Sequence, residues 1–501
     1  MSTTVGQIST LIQATLHAAE VRLAEEIPIS AIGLDSRQLP EGGLFAALPG
    51  TRNHGAHYAG STAAAAILSD AEGTKILREL GETRPILEVA DIRAVLGYVA
   101  AEVYDHPSEK MTIIGITGTS GKTTTSYLLE TGLIAAGYSV GLIGTTGTRI
   151  NGKPVPTQLT TPEAPTLQAL FARMLNDGVT HVVMEVSSHA LSLGRTVGTH
   201  FKVAGFTNLS QDHLDFHSTM EEYFAAKALF FEPTSDKRAQ TSVICVDDPW
   251  GEKMAQRAIN PIRVSTTNNH GDVIAHAIES DPTGAQSFQL RAGNKDYHVV
   301  LPLPGIFNVA NASLALAIAE NIGVDMSAVI DGMSQVSVPG RMQRIDAGQE
   351  FLAVVDYAHK PAAIAAVLET IRNQISGRIG IVIGAGGDRD AAKRPIMGAE
   401  SVRRADLVIV TDDNPRSEDP AVIRQAVLAG AYAIQQERPE VEIAEIGDRR
   451  KAIAAAISWA QPGDAVIVAG KGHEVGQLIA GVNHHFDDRE EVQAALQRIS
   501  Q

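Results

Sequence analysis

The sequence predicts an α/β fold with three domains: a central phosphate-loop domain with a parallel sheet, a smaller N-terminal α/β domain and a C-terminal Rossmann-like domain. The chain has 501 residues, and a domain scale of about 150 residues suggests roughly three domains. Apolar strand-like runs alternate with helical patterns from Met111 onwards, which is typical of a parallel sheet. The 45 glycines and only 5% aromatic residues indicate tight turns between aliphatic strands.

Residues 1–108 are predicted to form the N-terminal domain. A polar stretch, Leu34-Asp35-Ser36-Arg37, precedes an apolar run over 42–48 and a loop that ends near Gly60. The domain is expected to end at the turn over 105–108, because Pro107 disfavours a helix at the residue before it and cannot donate in a central strand.

The central domain is predicted to span 109–338. A strand from Met111 leads into a glycine-rich loop and a helix over 122–136, and further strands are expected at 181–186 and 203–207. Short alternating runs with turn signals over 264–300 predict a β-hairpin attached to this domain.

The C-terminal domain is predicted to span 339–501, after a break in the pattern at 338–341. Its expected strands cover 351–356, 379–383, 407–411 and 465–469. Because helical patterns separate them, a doubly wound sheet is predicted.

Bulk properties narrow the classes of function. The formal net charge of -16 opposes binding to a phosphate backbone, so nucleic acid is not expected as a partner. The sequence lacks a signal-like start and any run of about 18 apolar residues, which predicts a cytoplasmic protein without membrane insertion. Cys245 is the only cysteine, so a metal would need oxygen or imidazole ligands.

The strongest motif is the loop formed by Gly118, Thr119, Ser120, Gly121, Lys122, Thr123 and Thr124. A buried strand followed by a turn and a helix start presents free amides and a helix dipole to phosphate. Lys122 would reach the β- and γ-phosphates, and Thr123 would hold Mg²⁺. Five residues separate Gly115 from Gly121 instead of four, so the loop is a variant of the common motif. An ordinary glycine-rich turn would not need a lysine followed by threonines.

Metal-binding candidates follow two strands. Glu185 ends an apolar strand, and the carboxyl ends of parallel strands are where α/β sheets bind ligands, so it is a candidate Mg²⁺ ligand. His213, in the polar segment after the next strand, is a candidate for a second metal. Mg²⁺ prefers oxygen, and the residues alone equally allow a loop with capping aspartates and surface histidines. Lys227 lies in a strongly helical stretch, where spacing alone does not select it.

Several motifs in order resemble the Mur ligases of bacterial cell-wall synthesis, and the resemblance spans essentially the whole chain. They are the glycine-rich loop, MEVSSH at 184–189, NLSQDHLDFH at 208–217, the Tyr223 and Lys227 pair, GIFNVAN at 305–311, PGRMQ at 339–343, VDYAHKP at 355–361 and GKGHE at 470–474.

The resemblance implies ATP-dependent amide-bond formation through an acyl phosphate, with Mg²⁺ as the metal cofactor. It implies catalytic roles for Lys122, His213 and a carbamylated Lys227. It further implies that Asn308, Asn311 and Arg341 bind ATP. The residues it assigns to a uridine-nucleotide substrate with a muramoyl-dipeptide portion are Leu34, Ser36, Thr51, Arg52, Asn53, Thr160, Thr161, Ser187 and Arg195.

The resemblance also indicates the amino acid that is added. Asp413, Asn414, Pro415 and Arg416 resemble the selection motif of members that add the third peptide residue, and its arginine form implies meso-2,6-diaminopimelate rather than lysine. Diaminopimelate has a distal carboxylate that a guanidinium binds through two parallel hydrogen bonds. The remaining residues implied for this pocket are Arg389, Gly470 and Glu474. The same segment also fits an ordinary turn before a helix.

The protein is expected to be a monomer whose three domains hold three small-molecule substrates. This arrangement implies that the domains close over the substrates before the reaction begins.

Two alternatives stay open at this stage. A folylpolyglutamate synthase would share the ligase chemistry, but it would not explain the N-terminal segment at Leu34-Asp35-Ser36-Arg37. A nucleotide-dependent switch would leave Glu185, His213 and Lys227 dispensable.

Overall fold

The computed structural model describes residues 3–50, 53–155, 157, 159–213, 216–267, 270–281 and 284–499. Three large sheets follow one another along the chain, and each lies within one of the three predicted domain ranges. The mixed α/β architecture with mainly parallel sheets confirms the predicted fold class. The domain boundaries at 108 and 338 stay predictions.

The N-terminal domain is built on a five-stranded sheet. Its strands are β1 (Thr15–His17), β2 (Ile32–Gly33), β3 (Leu44–Ala46), β4 (Ala66–Ser69) and β5 (Ile86–Glu88). Its helices are α1 (Val5–Ile12), α2 (Val21–Glu25), α3 (Ala71–Glu79) and α4 (Ile92–Val103), with short 3-10 turns at Gly55–Ser61 and Pro107–Glu109. The strand order is β1-β5-β4-β3-β2, with β1 antiparallel to β5. Asp105 and His106 adopt positive φ angles of 59° and 48°, which forms the predicted turn before Pro107.

The central domain contains an eleven-stranded sheet. Its strands are β6 (Thr112–Thr117), β7 (Val140–Gly144), β8 (Gly147–Ile150), β9 (Lys153–Val155), β10 (His181–Glu185), β11 (Val203–Phe206), β12 (Thr241–Cys245), β13 (Ile262–Ser265), β14 (Val273–Ser280), β15 (Gln286–Ala292) and β16 (Lys295–Leu301). Its helices are α5 (Lys122–Ala135), α6 (Ala164–Asn176), α7 (Ser188–Ser192), α8 (Met220–Ala228), α9 (Pro249–Arg257), α10 (Ile306–Asn321) and α11 (Met326–Met333).

The order of the central strands positions the site. β6 lies between β10 and β11 and runs parallel to both, so the carboxyl ends of these three strands meet at one edge. That edge is where parallel α/β sheets bind ligands. β14, β15 and β16 pair antiparallel, which confirms the hairpin predicted over 264–300 and shows that it extends the central sheet.

The C-terminal domain has a six-stranded sheet and a small hairpin. Its strands are β17 (Gln343–Arg344), β18 (Leu352–Asp356), β19 (Ile379–Ile383), β20 (Leu407–Val410), β21 (Glu442–Glu445) and β22 (Ala465–Ala469), followed by β23 (Gln477–Ile479) and β24 (Val482–His484). Its helices are α12 (Pro361–Arg372), α13 (Lys393–Arg404), α14 (Pro420–Gln435), α15 (Arg449–Trp459) and α16 (Asp488–Ile499).

Helices cover both faces of this C-terminal sheet. α12, α13 and α14 supply one apolar core, whereas α15 and α16 supply the core on the other face. The strand order is β17-β18-β22-β19-β20-β21, and the strands from β18 to β21 are parallel. The predicted doubly wound arrangement is therefore confirmed. In the portions of the chain that the structure describes, each helix is too short or too polar to span a bilayer.

Candidate active site

The glycine-rich loop connects β6 to α5 and is held against the end of β11. Gly118 and Gly121 have φ angles of 142° and 85°, which side chains other than glycine rarely adopt. A Cβ at Gly118 would lie 1.9 Å from Thr207 Oγ1, and one at Gly121 would lie 2.2 Å from Asn311 Oδ1. Thr207 Oγ1 also donates to the Ser120 carbonyl at 2.6 Å. The loop therefore needs glycine at both positions.

Lys122 stands at the first position of α5 and folds back over this loop. Its Nζ donates to the carbonyls of Gly118 and Thr119 at 2.9 and 3.0 Å. Burial lowers the pKa of Lys122 to about 8, and repulsion from Lys360 adds to the effect. A phosphate at the α5 N-terminus would replace the loop carbonyls as the partner of this ammonium and would favour its charged form.

Glu185 is 1% exposed at the carboxyl end of β10. Its Oε1 accepts hydrogen bonds from Thr123 Oγ1 and the Thr145 backbone N–H, both at 2.9 Å, and its Oε2 accepts one from Thr145 Oγ1 at 2.8 Å. A carboxylate and two hydroxyls beside a phosphate loop are hard oxygen donors, so they fit Mg²⁺. Among the described residues, no group of three or more His, Cys, Asp or Glu side chains is arranged to hold a metal. Phosphate oxygens and water would therefore complete the coordination of a bound Mg²⁺.

Lys227 on α8 is 1% exposed and points at the same loop. Its Nζ donates to the Gly118 carbonyl at 2.9 Å and to Thr117 Oγ1 at 3.4 Å. The Nζ also lies 4.8 Å from the centre of the Tyr223 ring. Burial holds the pKa of Lys227 well below its usual value, and the charges of Lys122 and Lys360 lower it further. The amine is therefore readily kept neutral and nucleophilic.

His213 lies on the loop after β11 with a φ of 54°. Its Nε2 is 3.0 Å from Asp212 Oδ2, and its ring lies edge-on to His189 with the centroids 5.1 Å apart. Burial lowers the pKa of His213 to about 3; Asp212 acts in the opposite direction, and the charges of the nearby lysines lower the pKa further. The imidazole is therefore neutral at neutral pH, as a metal ligand must be.

The C-terminal domain packs directly over the phosphate loop. Arg341 Nη2 lies 3.4 Å from Thr123 Oγ1, and its guanidinium stacks on the Tyr357 ring at 4.1 Å. Lys360 Nζ is 2.7 Å from Asp212 Oδ2 and 3.4 Å from the Thr119 carbonyl. The site therefore contains cationic side chains from two domains.

Lys360 and Thr145 were missed by the sequence reasoning. Lys360 stands inside the quoted VDYAHKP motif, where nothing in its spacing distinguishes it from a surface lysine. Thr145 follows β7 in a segment with no motif, yet it supplies two of the hydrogen bonds to Glu185.

The predicted ATP-binding asparagines lie on the first turns of α10, against the loop. Asn311 Nδ2 donates to Asn308 Oδ1 at 3.1 Å, and Asn308 Nδ2 donates to the Pro304 carbonyl at 2.8 Å. Both side chains are buried. Asn311 lies beside Gly121 of the loop and Arg341 lies beside Thr123, so the structure brings the predicted ATP-binding residues together at the phosphate loop.

Residues predicted for the dipeptide portion of the substrate surround the end of β10. Thr161 Oγ1 donates to the Glu185 carbonyl at 2.9 Å and accepts from the Ser187 backbone N–H at 3.2 Å. Arg195 Nη1 donates to the Thr161 carbonyl at 3.3 Å, and Thr160 Oγ1 donates to Thr145 Oγ1 at 3.3 Å. The four residues therefore form one group beside the candidate metal ligands.

The residues predicted for the uridine nucleotide lie in the N-terminal domain. Leu34 and Ser36 follow β2, and Ser36 Oγ accepts a hydrogen bond from Ser61 Oγ at 2.9 Å. Asn53 is exposed next to Tyr58. Thr51 and Arg52 lie outside the described residues. The loop assignment therefore stays a prediction.

Residues predicted for the amino-acid pocket lie together beyond the carboxyl ends of β20 and β22. Asn414 Nδ2 donates to Glu474 Oε2 at 2.9 Å, while Asp413 is 7% exposed and lies close to Gly470. Its other predicted members are Pro415, which is buried, Arg416, which is half-buried, and Arg389, which is exposed on the loop after β19. Arg416 has a φ of 54°, and its backbone bonds to Leu478 and Ala480 attach the loop to the β23–β24 hairpin.

Comparison with known proteins identifies the family. Residues 116–319 match the Mur ligase middle domain, and residues 340–472 match the Mur ligase, glutamate ligase domain. A curated protein of Corynebacterium glutamicum, UDP-N-acetylmuramoyl-L-alanyl-D-glutamate--2,6-diaminopimelate ligase, is 63% identical over 496 residues, which cover 98% of this chain and 96% of that protein. This chain belongs to the Mur ligase family.

Other comparisons agree with this assignment. The protein of the same name from Corynebacterium efficiens is 61% identical over 502 residues, covering 99% of this Mur ligase and 95% of that protein. A solved structure of a UDP-N-acetylmuramoyl-L-alanyl-D-glutamate--2,6-diaminopimelate ligase superposes with a TM-score of 0.69 at 33% identity and covers 100% of both chains. The similarity therefore includes the N-terminal domain, which neither domain model covers.

Proposed function

We propose that this Mur ligase uses ATP to join meso-2,6-diaminopimelate to the D-glutamate side-chain carboxylate of UDP-N-acetylmuramoyl-L-alanyl-D-glutamate, in the synthesis of peptidoglycan precursors. The observation that carries the proposal is the convergence of Lys122, Glu185 and Lys227 with Arg341 and Lys360 at one phosphate loop. The curated relatives with this substrate in their names match the chain almost from end to end. Because ATP is a cytoplasmic metabolite, we place the reaction in the cytoplasm. We further propose that the protein acts as a monomer.

The first step transfers the γ-phosphoryl group of ATP to an oxygen of the substrate carboxylate. An O–P bond to the carboxylate forms, the bond to the ADP oxygen breaks, and ADP leaves. Lys122 and the loop amides offset charge on the phosphoryl oxygens, since this chemistry depends mainly on positioning and electrostatics. Arg341 adds a second cation from the C-terminal domain. Thr123 and Glu185, with His213 as the further predicted ligand, would hold Mg²⁺, which would supply additional positive charge.

In the second step, the unprotonated amino group of diaminopimelate attacks the carbonyl carbon of the acyl phosphate. The C–N bond forms, phosphate leaves with its bonding electrons, and the proton lost by the nitrogen is taken up by the released phosphate. The packing of the C-terminal domain over the loop excludes water, which would otherwise hydrolyse the acyl phosphate.

Lys227 is proposed to act as a carbamate. Its neutral amine would add carbon dioxide and release one proton, which replaces a potential cation with an anion. That change would offset the positive charge of Lys122 and Lys360 around the loop, which otherwise opposes a third buried ammonium. The carbamate would also add oxygen atoms on the Gly118 side of the loop, where Nζ now lies.

The proposal is tested by measuring ADP release with the uridine-linked dipeptide and ATP, in the presence of diaminopimelate, lysine or no amino acid. Diaminopimelate-dependent ADP release is expected, and it should be abolished in Lys122→Ala but retained in Lys202→Ala, which changes an exposed lysine. ADP release that does not depend on the dipeptide substrate would instead support a nucleotide-dependent switch.

A further inference from the structure

Lys471 is a fully buried lysine for which the mechanism above has no role. Its side chain is 0% exposed, between β22 and the hairpin that follows it. A buried ammonium without partners is strongly unfavourable, so the groups that Lys471 contacts are expected to matter. Glycines flank it on both sides, and Gly470 and Gly472 adopt φ angles of 117° and 55°, which other residues rarely adopt.

All three polar partners of Lys471 belong to the predicted amino-acid pocket. Its Nζ lies 3.3 Å from Asp413 Oδ1, 3.1 Å from Asn414 Oδ1 and 3.7 Å from Glu474 Oε2. An ammonium has three hydrogens to donate and accepts none. Lys471 therefore bonds to Asp413, which is 58 positions away in the chain, and holds these residues in one arrangement.

The contact with Lys471 also orients the Asn414 amide. Asn414 Oδ1 accepts from Lys471 and from the Leu478 backbone N–H at 2.9 Å, so its Nδ2 is directed at Glu474. Tyr357 donates to the other Glu474 oxygen at 3.3 Å. Asn414 and, through it, Glu474 are thus positioned by a chain of bonds that begins at Lys471.

The charges around Lys471 do not balance. Asp413 and Glu474 supply two carboxylates, and Lys471 supplies one ammonium in contact with both. The buried Arg449 also attracts both carboxylates, but its guanidinium is paired with Asp488. Burial raises the pKa of Glu474, the Asp413 carboxylate raises it further, and Lys471 acts in the opposite direction. An incoming substrate ammonium would neutralise the remaining negative charge.

We propose that Lys471 is a positioning residue that sets the pocket to accept one ammonium group of the incoming diamino acid. It holds Asp413, Asn414 and Glu474 in place, and this group together with Lys471 carries one net negative charge that the substrate ammonium offsets. This inference rests on the proposed function for the identity of that amino acid.

The test compares Lys471→Met, which removes the charge at similar length, with Lys451→Met, which changes an exposed lysine on α15 in the same domain. In Lys471→Met the KM for the amino acid should rise about 10- to 100-fold, the range for losing a hydrogen bond to a charged group. The KM values for ATP and for the uridine-linked substrate should stay within about twofold. Lys451→Met should match the parent protein.

The pH profile separates positioning from a general structural role. Glu474 must be ionised to bind an ammonium, and removal of Lys471 raises its pKa, so the acidic limb of kcat/KM for the amino acid should move to higher pH. Lys471→Arg keeps the positive charge, so the acidic limb of its kcat/KM profile should stay at the parental pH. Its planar guanidinium should still raise the KM for the amino acid. Lys471→Arg also serves as the test if Lys471→Met does not fold.

Two outcomes would overturn the inference: a parental amino-acid KM in both Lys471 variants, or an equal rise in the KM of all three substrates. The amino acid used is the one that supports ADP release by the parent protein. If that compound is not diaminopimelate, the proposed function is wrong, whereas the role of Lys471 is still decided by the same comparison.

Discussion

Arg416 gives the sharpest test of substrate choice. Its guanidinium lies beside Gly386 and Gly387, next to the pocket formed by Asp413, Asn414 and Glu474. The backbone of Arg416 is bonded to the β23–β24 hairpin through Leu478 and Ala480, and these bonds survive truncation of the side chain. Arg416→Ala should therefore remove the guanidinium with little change in the fold.

The expected loss of activity follows from the ion pair between the Arg416 guanidinium and the distal carboxylate of diaminopimelate. Removing one member of a buried, hydrogen-bonded charge pair costs about 2–4 kcal/mol, so kcat/KM for diaminopimelate should fall roughly 30- to 900-fold. Most of the loss should appear in KM, because the distal carboxylate is remote from the reacting amine. The KM for ATP should stay near the parental value, since the ATP-binding residues belong to the phosphate-loop side of the site.

The assay is initial-rate ADP release with diaminopimelate and with lysine, which lacks the distal carboxylate. The parent protein should strongly prefer diaminopimelate, and Arg416→Ala should lose most of that preference. Equal turnover of the two amino acids by the parent protein would refute the role given to Arg416. A large rise in the KM for ATP in Arg416→Ala would show that this residue is structural.

Two further predictions concern titratable groups. Because burial keeps the pKa of Lys227 well below its usual value, its amine should take up carbon dioxide near neutral pH. Activity should fall in carbon-dioxide-free buffer and return when bicarbonate is added. The parent protein should also give a ¹³C carbamate signal that Lys227→Met lacks. Parental activity without that signal would contradict the modification. Burial also lowers the pKa of His473 to about 3, so acidification below the usual histidine value near 6.5 favours the unfolded chain. From pH 6.5 to 5.5, the parent should lose about 1 kcal/mol more stability than His473→Asn, measured by calorimetric unfolding; equal losses would show that His473 does not titrate as proposed.

The sequence predicted the parts of the fold that local spacing determines. β19 and β22 have the predicted bounds, and α5 ends one residue before its predicted end. The phosphate loop was found because a strand, two obligatory glycines and a helix start are adjacent in the chain. The grouping of Glu185 with Thr123 was also predictable, since the carboxyl ends of neighbouring parallel strands meet.

The same local reasoning missed one edge of the central sheet. The hairpin over 264–300 was predicted and corresponds to β14, β15 and β16, whereas the antiparallel strands β8 and β9 at the opposite edge were not predicted. Short alternating runs indicate strands, but the side of the sheet to which they attach depends on which backbone edge is available.

By itself, the sequence determined the fold class, the phosphate loop and the order of motifs that marks a Mur ligase, because these depend on residues close together in the chain. Only the tertiary structure decided which buried charges share a site. Lys360 contacts Thr119, which is 241 positions away in the chain, and Lys471 contacts Asp413, which is 58 positions away. A lysine in a motif has the same sequence signal whether it is solvated or buried. Its pKa and its role are determined by neighbours that only folding supplies.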